Sequence, residues 1–581
     1  MGVMAYMPYG AGGIIIRVET DIRRGIPGID ITGLAEGAVR EARERVRAAF
    51  RNSGFTFPLD RILINLAPAG LKKEGAALDL AIALSVMSAA GIAPISGDLL
   101  VMGELELSGK IRPVRGVLAA IAAGLSEGIN EFIVPAENAG EAAILASSGS
   151  LSKKGARFTA AENLQGAVHA LFIREEKGEL PASFETALQD FLDTKSTGII
   201  MNDNAAAENS CKGFSNSAEN SPGDFADVNG QSIYKRALEI AAAGGHNVLA
   251  FGPPGAGKTM LARRLPSIMT PLTADEAVEV TRLYSLAGPF SNSNDCSTYR
   301  YIDRLITRAP FRAPHHTASA EGILGGGRIP RPGEISLAHF GVLFLDEAPE
   351  FRINVLQALR EPLEDRVISI VRAEGPLHFP AEFQLLMTAN ACPCGRLGKR
   401  ENGGVIQNCM CFCSPEEINR YWRRFGGALL DRVEIRVAVL PPKVEEMSRQ
   451  ISSTPNSPAF ASYAAEGKND YLNERSIDIA RRVLSAVEIQ RDRFKGSGIR
   501  RNAMLPAGKS AALCPMNEKA ENAFHVAVAK LGLSGRAYHG ILRVARTIAD
   551  LESKDIIETE HILEAVQYRR LGEDPWDIMT V

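Results

Sequence analysis

The sequence predicts a multidomain α/β protein with an N-terminal α+β domain, a central domain built on a parallel sheet, and a C-terminal helical domain. From Ile14 to about Phe172, short β-rich runs alternate with Ala-rich amphipathic stretches. Further along the chain, short apolar runs such as Val342–Leu345 recur between helical stretches, which is typical of a parallel sheet covered on both faces. From about Ser476 onward the pattern is wholly helical.

The individual elements follow from the same patterns. The N-terminal domain is predicted to contain strands Gly13–Val18, Arg61–Leu66 and Glu131–Val134 with helices Ala35–Asn52, Ala76–Ala89 and Val117–Ala123. In the central domain we expect Ser232 to cap a helix Ile233–Ala243, followed by strands Asn247–Phe251, Val342–Leu345 and Phe383–Met387. The C-terminal domain is expected to have helices Ile477–Phe494, Glu518–Leu531, Tyr538–Leu551 and Thr559–Tyr568.

The domain boundaries follow from changes in composition. Asn202 to Asp224 is rich in Asn, Ser, Ala and Gly and has no apolar period, so it cannot bury enough surface to offset its ordering entropy. We therefore predict an N-terminal domain over 1–175, a helix and flexible linker over 176–224, a central domain over 225–445 and a helical lid domain over 446–581.

Composition excludes several classes of protein. The chain has 581 residues with 65 Lys and Arg against 68 Asp and Glu, so its net charge of -3 provides no global basic field, and polyanion binding must come from local clusters. No run approaches the roughly 20 apolar residues of a membrane span, and the N-terminus lacks the features of a signal peptide. We expect a cytoplasmic protein with no membrane partner.

A glycine-rich segment after the strand Asn247–Phe251 predicts a phosphate site. It fits G-x-x-x-x-G-K-[ST] and has a helix, Met260–Leu265, behind it. Its glycines allow backbone N–H groups to close around phosphates at a helix N-terminus. The predicted nucleotide-binding residues are Gly252, Pro253, Pro254, Gly255, Ala256, Gly257, Lys258 and Thr259, with Lys258 on the β/γ oxygens and Thr259 on Mg²⁺.

Polar residues end two later strands. Asp346 and Glu347 close the apolar run Val342–Leu345, as needed when one carboxylate holds Mg²⁺ and the next activates water for in-line attack. An isolated strand that ends in two acids is more often an ordinary solvated strand end. Because this strand follows the glycine-rich phosphate-binding loop (P-loop) in the chain, we prefer the catalytic interpretation. Asn390 follows the strand Phe383–Met387 and is a candidate sensor of the γ-phosphate that orients the same water.

Five of the eight cysteines lie between residues 392 and 413. Two groups separated by 14 residues can give the tetrahedral sulfur geometry that zinc prefers, although the C-x-C spacing is a weaker signal than C-x₂-C. The alternative is a set of reduced, partly buried cysteines. The predicted structural zinc ligands are Cys392, Cys394, Cys409 and either Cys411 or Cys413. His315 and His316 are expected to make ordinary hydrogen bonds.

The strings GPPGAGKT, GEISLAHFGVLFLDE, TAN and LLDR, in this order, resemble an AAA+ ATPase of the magnesium-chelatase-like clade. FRAPHHTAS, KGSGIRRNA and GRAYHGILRVARTIADLE, with N-terminal GIPGIDITGL, REARERVRAAFRNSGF and INLAPAGLKKEG, are similar to the ComM (YifB) family over nearly the whole chain. The resemblance implies a hexameric ring ATPase that promotes DNA branch migration in homologous recombination during natural transformation.

The resemblance also implies residues that act between subunits. Arg432 occupies a position similar to the arginine finger of this clade, and Arg536 is similar to the sensor-2 arginine, with Arg543 as the alternative. Two insertions are expected to point into the ring pore. One carries Arg328 and Arg331, and the other is a hairpin of Val367–Val371 with Leu377–Phe379 that has Arg372 near its turn. We expect these three arginines to contact DNA phosphates. Bracing of the sheet or of a subunit interface is the alternative.

Residues 73–135 are similar to the proteolytic domain of Lon. Proteolysis there requires a serine activated by a lysine, and the matching positions here hold Ala77 and Leu118, so the resemblance implies a Lon-like fold without its chemistry.

The leading hypothesis is an ATP- and Mg²⁺-dependent hexameric motor or helicase acting on single-stranded or branched DNA without sequence specificity. The alternative is a chelatase-type or protein-remodelling ATPase that does not act on DNA. An ATP-dependent protease is opposed by the two substituted positions.

Overall fold

The computed structural model describes residues 2–34, 37–73, 75–95, 97–147, 156–177, 223–288, 305–327, 330–372, 375–397, 411–441 and 474–570. Almost all of the predicted linker 176–224 lies outside these ranges, as do Arg328 and Cys409. Among the described residues, no helix combines the length and the apolar character that a membrane span requires.

The N-terminal domain is a seven-stranded mixed sheet in the order β3-β4-β2-β1-β5-β8-β9, with a small separate pair β6-β7. Its strands are β1 (Gly2–Met7), β2 (Ile14–Arg23), β3 (Gly28–Thr32), β4 (Arg61–Ala67), β5 (Asp98–Val101), β6 (Glu104–Leu105), β7 (Ile111–Arg112), β8 (Glu131–Pro135) and β9 (Arg157–Ala161). Its helices are α1 (Gly37–Asn52), α2 (Asp79–Ala89), α3 (Val117–Ser126), α4 (Ala139–Ser147) and α5 (Leu164–Lys177).

The helices of this domain form where the sequence supplies an apolar face. In α1 the residues Val39, Ala42, Val46 and Ala49 recur at helical spacing and are all buried against the sheet. Helix α2 is buried on every side from Asp79 to Met87, in keeping with its almost entirely apolar composition.

The central domain contains a five-stranded sheet in the order β11-β14-β17-β10-β18, and every neighbouring pair in it is parallel. Strands in this part of the chain are β10 (Val248–Phe251), β11 (Phe311–Arg312), β12 (Gly325–Gly326), β13 (Arg331–Pro332), β14 (Val342–Leu345), β15 (Val367–Arg372), β16 (Gly375–Pro380), β17 (Gln384–Ala389) and β18 (Ile435–Ala438). Because the strands are parallel, their carboxyl ends meet at one edge of the sheet and their amino ends at the other.

Nine helices surround this sheet within the described ranges, and apolar side chains cover both of its faces. They are α6 (Ser232–Gly244), α7 (Lys258–Ala262), α8 (Ala274–Ala287), α9 (Ala320–Leu324), α10 (Glu334–Leu337), α11 (Ile353–Ala358), α12 (Arg360–Asp365), α13 (Pro415–Trp422) and α14 (Gly427–Leu430). The predicted multidomain α/β fold with a parallel-sheet core is confirmed.

The C-terminal region is helical, as predicted. Its helices are α15 (Ser476–Arg493), α16 (Ala507–Leu513), α17 (Glu518–Leu531), α18 (Gly535–Leu551) and α19 (Thr559–Arg570). Helix α18 is the central one: it packs against α6, α15 and α19, and Ile548 shares one apolar cluster with Val248 and Val437 of the sheet. The helical region and the central sheet are therefore joined by a common core.

Backbone hydrogen bonds join the described parts of the N-terminal and central domains. The Gly116 N–H, just before α3, donates to the Ser285 carbonyl of α8 at 3.1 Å. The Ala11 N–H donates to the His378 carbonyl of the β15–β16 hairpin at 3.0 Å. The N-terminal domain thus fixes both a helix of the central domain and one strand of its hairpin.

Candidate functional site

The glycine-rich segment 252–259 follows β10 and runs into the first turn of α7, at the carboxyl edge of the parallel sheet. A Cβ at Gly252 would lie 2.0 Å from the Val439 carbonyl oxygen, so only glycine fits there. Gly255 and Gly257 have φ angles of 81° and 86°, in the left-handed region. Helix α7 begins at Lys258, two residues earlier than predicted, and presents its N-terminus to this turn. Such a turn can bind phosphate oxygens.

Lys258 is 8% exposed and directs its ammonium group into the glycine-rich turn. Its Nζ donates to the carbonyl oxygens of Gly252 and Pro253, both at 2.8 Å, and to Asn390 Oδ1 at 3.3 Å. Burial lowers the pKa of Lys258 to about 8, against the opposing charges of Asp346 and Glu347. Lys258 forms no ion pair within 4 Å in the described part of the chain, so a phosphate at this position would supply a direct anionic partner, and the residues fit a bound polyphosphate.

Thr259, Asp346 and Thr388 form a chain of oxygen atoms beside the lysine. Asp346 Oδ1 accepts hydrogen bonds from the Thr259 hydroxyl at 2.9 Å and from the Thr388 hydroxyl at 2.6 Å. Hydroxyl and carboxylate oxygens are the ligands that Mg²⁺ prefers. The residue pair Thr259 and Asp346, predicted from two distant motifs, is therefore brought into direct contact, and its oxygen atoms are of the kind that fit Mg²⁺.

Glu347 adopts a backbone conformation that is rare for a residue with a side chain, with φ 51° and ψ 50°. Its N–H donates to the Thr388 hydroxyl at 2.9 Å, and a short 3-10 helix, Ala348–Glu350, begins directly after it. These two features hold Glu347 in place at the carboxyl end of β14. Strained backbone of this kind is concentrated at functional sites.

The thiols of four cysteines, Cys392, Cys394, Cys411 and Cys413, lie close together, with all four sulfurs within 4.8 Å of one another. The first two of them follow shortly after Asn390 in the chain. The Cys392 and Cys394 sulfurs are 3.4 Å apart, and Cys411 lies 3.6 Å from each of them. A zinc ion with four thiolate ligands places its sulfurs about 3.8 Å apart, so the cluster fits that ion.

Among the described residues both Cys411 and Cys413 belong to the cluster, where one of the two was expected as a ligand together with Cys409. Cys409 lies outside the described residues. Burial opposes ionisation of the Cys394 thiol, but the Arg396 backbone N–H and the neighbouring thiols outweigh it and lower the pKa to about 6. His315 and His316 do not join this group; His315 Nδ1 lies 2.9 Å from the Thr317 hydroxyl, the ordinary hydrogen bond that was expected.

The two predicted arginines lie together at the opposite edge of the sheet from the glycine-rich turn. Arg432 precedes β18, and Arg536 is on the first turn of α18; both donate to the Glu364 carboxylate, Arg432 at 2.7 Å. They line a cleft of about 640 Å³ beside the amino ends of the strands. Arg543, the alternative for Arg536, donates instead to the Ala503 carbonyl at 2.6 Å.

The predicted hairpin is present as β15–β16, and Arg372 pairs with Gly375 next to its turn. The Arg372 guanidinium donates to the Gly327 carbonyl of the other insertion, in which β12 pairs with β13. Arg331, in β13, is exposed. The two insertions therefore form one contiguous feature, whereas Arg328 lies outside the described residues.

The Lon-like segment carries no serine–lysine pair at the aligned positions. Ala77 lies in a short 3-10 helix, and Leu118 is buried in the first turn of α3. Neither side chain can act as a nucleophile or a base.

Sequence reasoning missed three polar residues around the site. Thr388 belongs to the TAN string, but the sequence assigned it no role. Its two hydrogen bonds depend on the pairing of β14 with β17, which the sequence does not show. Gln231, not Ser232, precedes α6; its Nε2 donates to the carbonyls of Ala256 at 3.0 Å and Leu440 at 2.5 Å. Glu364 gave no signal, since an acidic residue on a short helix is usually a solvated one.

Three family models match the chain: "Magnesium chelatase, subunit ChlI" at residues 224–447, "Subunit ChlI of Mg-chelatase" at 18–138, and "Magnesium chelatase, subunit ChlI C-terminal" at 473–569. YifB of Salmonella typhimurium is 37% identical over 560 residues, covering 96% of this chain and 94% of YifB. Competence protein ComM of Haemophilus influenzae is 36% identical over 559 residues, covering 96% and 95%.

A partial similarity bears on the N-terminal region. Lon protease 2 of Bacillus subtilis is 29% identical over 197 residues, which is 30% of this chain and 33% of that protease. The full-length similarity is much higher than this and extends over all three parts of the chain. The chain therefore belongs to the family of YifB and the competence protein ComM, and its magnesium-chelatase domains make it an AAA+ ATPase of that type.

Proposed function

We propose that this ATPase forms a hexameric ring that moves along single-stranded or branched DNA and promotes branch migration in homologous recombination. The observation that carries the proposal is the similarity over nearly its whole length to a protein named for competence, a process of DNA uptake. The names of the matched family models keep a chelatase-type or protein-remodelling activity as the alternative.

In this proposal the carboxyl edge of the sheet binds ATP and Mg²⁺. Lys258 neutralises the β- and γ-phosphate oxygens, while Thr259 and Asp346 hold the metal. Mg²⁺, when bound, offsets phosphate charge as the terminal phosphoryl group is transferred. Glu347 accepts a proton from the attacking water, and Asn390 orients that water through its amide. The hydrogen bonds from Lys258 to Asn390 and from Thr259 to Asp346 support these assignments.

Arg432 and Arg536 are assigned to the nucleotide of a neighbouring subunit. They lie at the amino edge of the sheet, so the strands separate them from the ATP site of their own chain. A ring brings the amino edge of one subunit to the carboxyl edge of the next, where both guanidiniums offset the charge that develops on the γ-phosphate. This arrangement supports hydrolysis only in the assembled ring.

DNA binding is assigned to the paired insertions. Arg331 and Arg372 provide cations on two hairpins that contact each other, so both can bind phosphates in the pore without reading bases. DNA affinity is expected to be insensitive to sequence and to fall steeply with salt.

A structural zinc ion is assigned to the cysteine cluster. Cys392, Cys394, Cys411 and Cys413 would hold it, and the Leu397 N–H already donates to the Cys392 sulfur at 3.4 Å. The ion would anchor the segment that follows Asn390.

The first experiment is an ATPase assay at low salt with four-way junction, forked, single-stranded and duplex DNA. Junction and single-stranded DNA should stimulate hydrolysis, and the junction should be migrated or unwound. If none of these DNAs changes ATPase activity or assembly, the remodelling alternative replaces the DNA motor.

The second experiment tests action between subunits. Arg432→Ala alone should hydrolyse little ATP, and rings mixed with Lys258→Ala subunits should recover part of the activity, because each variant supplies what its neighbour lacks. Mixtures that recover no activity at any ratio would remove the support for a finger acting in trans.

A further inference from the structure

The Glu364 carboxylate is shared by both arginines that the proposed function assigns to the neighbouring nucleotide. Arg432 and Arg536 each donate a hydrogen bond from Nη2 of the guanidinium to the same oxygen, Glu364 Oε1. Desolvation is the largest single effect on this carboxyl and opposes its ionisation, but the hydrogen bond and charge of Arg432 and the charge and hydrogen bond of Arg536 together outweigh it and hold its pKa below the ordinary value. Glu364 is therefore an ionised carboxylate bound to two guanidiniums.

The Arg432 side chain is folded back onto its own subunit. It is only 10% exposed, although Glu364 beside it is 44% exposed. Besides the bond to Glu364, its NH1 donates to the Ala428 carbonyl one helical turn earlier, and its Nε is buried without a partner among the described residues. An arginine in this position must leave Glu364, at least in part, to donate to a phosphate on another subunit.

Glu364 also lies close in the chain to the base of the β15–β16 hairpin. Helix α12 ends at Asp365, and Arg366, with φ 58°, turns the chain into β15. The Arg366 N–H donates to the Pro362 carbonyl at 2.9 Å, and the Ala381 N–H on the far side of the hairpin donates to the Arg366 carbonyl at 2.8 Å. These hydrogen bonds connect α12 to both ends of the hairpin.

We propose that Glu364 is a positioning residue that retains Arg432 and Arg536 on their own subunit, and that replacement of its carboxylate by a neighbour's γ-phosphate couples ATP binding to the hairpin. The proposal rests on the assignment of the two arginines to the neighbouring nucleotide. A γ-phosphate carries more charge than a carboxylate and offers three oxygens, so it competes effectively for both guanidiniums. When they move, α12 loses two ion pairs that hold it to the start of β18 and to α18.

The test compares Glu364→Gln with Glu361→Gln, an exposed acidic residue of the same helix. Both variants remove one negative charge from α12, but only the first removes the partner of the arginines. Assembly is measured against ATPγS concentration without DNA, and ATPase activity is measured with and without junction DNA. Thermal unfolding confirms that both variants are folded.

We expect Glu364→Gln to assemble at about three- to tenfold lower nucleotide concentration than the wild type, the size expected for losing two partly exposed ion pairs. Its ATPase activity without DNA should rise by a similar factor, because the arginines reach the phosphate without competition. Stimulation by DNA should be largely lost, since the hairpin is no longer linked to the arginines. Glu361→Gln should behave as the wild type.

Two results overturn the proposal. Unchanged assembly and ATPase activity in Glu364→Gln would mean that the carboxylate does not compete with phosphate. Lower activity with a higher nucleotide requirement would mean that it presents the arginines to the neighbour. Failure of the proposed function would give different results. If Arg432 is not the finger, Arg432→Ala would retain ATPase activity. If the protein does not act on DNA, the wild type would show no response to DNA, whereas the assembly comparison without DNA would still measure the competition at Glu364.

Discussion

Thr388 is predicted to control the affinity of the site for magnesium, although it need not touch the metal. Its buried hydroxyl donates to Asp346 Oδ1 at 2.6 Å and accepts the Glu347 N–H at 2.9 Å. The substitution Thr388→Val keeps the shape of the side chain and removes both hydrogen bonds. It removes the shorter of the two hydrogen bonds that orient Asp346, leaving the one from the Thr259 hydroxyl, and it leaves the Glu347 N–H without its acceptor.

The magnitude follows from these two losses. Removing a hydrogen-bond partner of a metal ligand typically lowers metal affinity or activity by about 10- to 100-fold. The hydrogen bond from the Glu347 N–H to Thr388 contributes about 0.5–1.5 kcal/mol, and Glu347 relies on this bond to keep its strained backbone conformation. We therefore expect the Mg²⁺ concentration for half-maximal activity to rise by at least about tenfold, with a lower kcat at saturation.

The assay is steady-state ATP hydrolysis titrated with Mg²⁺, together with binding of a fluorescent ATP analogue in the absence of Mg²⁺. Metal-free binding should change little, since Lys258 and the glycine-rich turn are untouched. Thr388→Ser is the matched control because it keeps the hydroxyl, and it should remain close to the wild type. Equal Mg²⁺ dependence in the valine variant and the wild type would refute the reasoning.

Three further predictions concern the same region. Lys258→Ala should abolish ATP binding, whereas Glu347→Gln should bind ATP and stop turnover, because only the first removes phosphate-binding charge; equal loss of binding in both would contradict the assignment. Since the pKa of Lys258 is about 8, ATP binding above that pH must take up a proton, so affinity measured with Glu347→Gln should fall as the pH rises from about 8 to about 9.5, by up to about tenfold per unit; a flat profile would exclude this coupling. Metal analysis should find about one zinc per chain, retained in Cys514→Ser and lost in Cys392→Ser, and its absence from freshly isolated, reduced protein would exclude the zinc site.

Elements with strong local signals were predicted well from the sequence. The bounds of α17 agree at both ends, because Asn517 caps its start through the Ala520 N–H and Gly532 ends it with φ 59°. The strand Val342–Leu345 agrees as well, since four buried apolar residues lie between a glycine and two acids. In these two elements, local sequence propensity and tertiary packing favour the same secondary structure with the same bounds.

Elements whose signal depends on tertiary contacts were missed. Strand β18 has four residues, and Arg436 interrupts its apolar run, yet the structure buries this arginine and its NH2 donates to the Leu430 carbonyl at 2.9 Å. The same limit applies to the site: the motifs indicate Lys258 and Asp346, but the atoms that hold them belong to neighbouring strands. Parallel pairing of β10, β14 and β17 is what places those atoms together.

Sheet geometry explains why one chain cannot combine all the proposed groups at a single nucleotide. The turn that holds Lys258 follows β10, whereas Arg432 precedes β18, and these strands run parallel with Val248 opposite Ile435. Each strand has four residues and so spans about 13 Å, with buried side chains on both faces. Arg432 would have to cross this layer to reach the phosphates of its own subunit. An extended arginine reaches about 7 Å from its Cα, which is too short for that path. If Arg432 is the proposed finger, a second subunit is therefore the geometrically accessible source of its phosphate, and the proposal makes oligomerisation part of the chemistry rather than an addition to it.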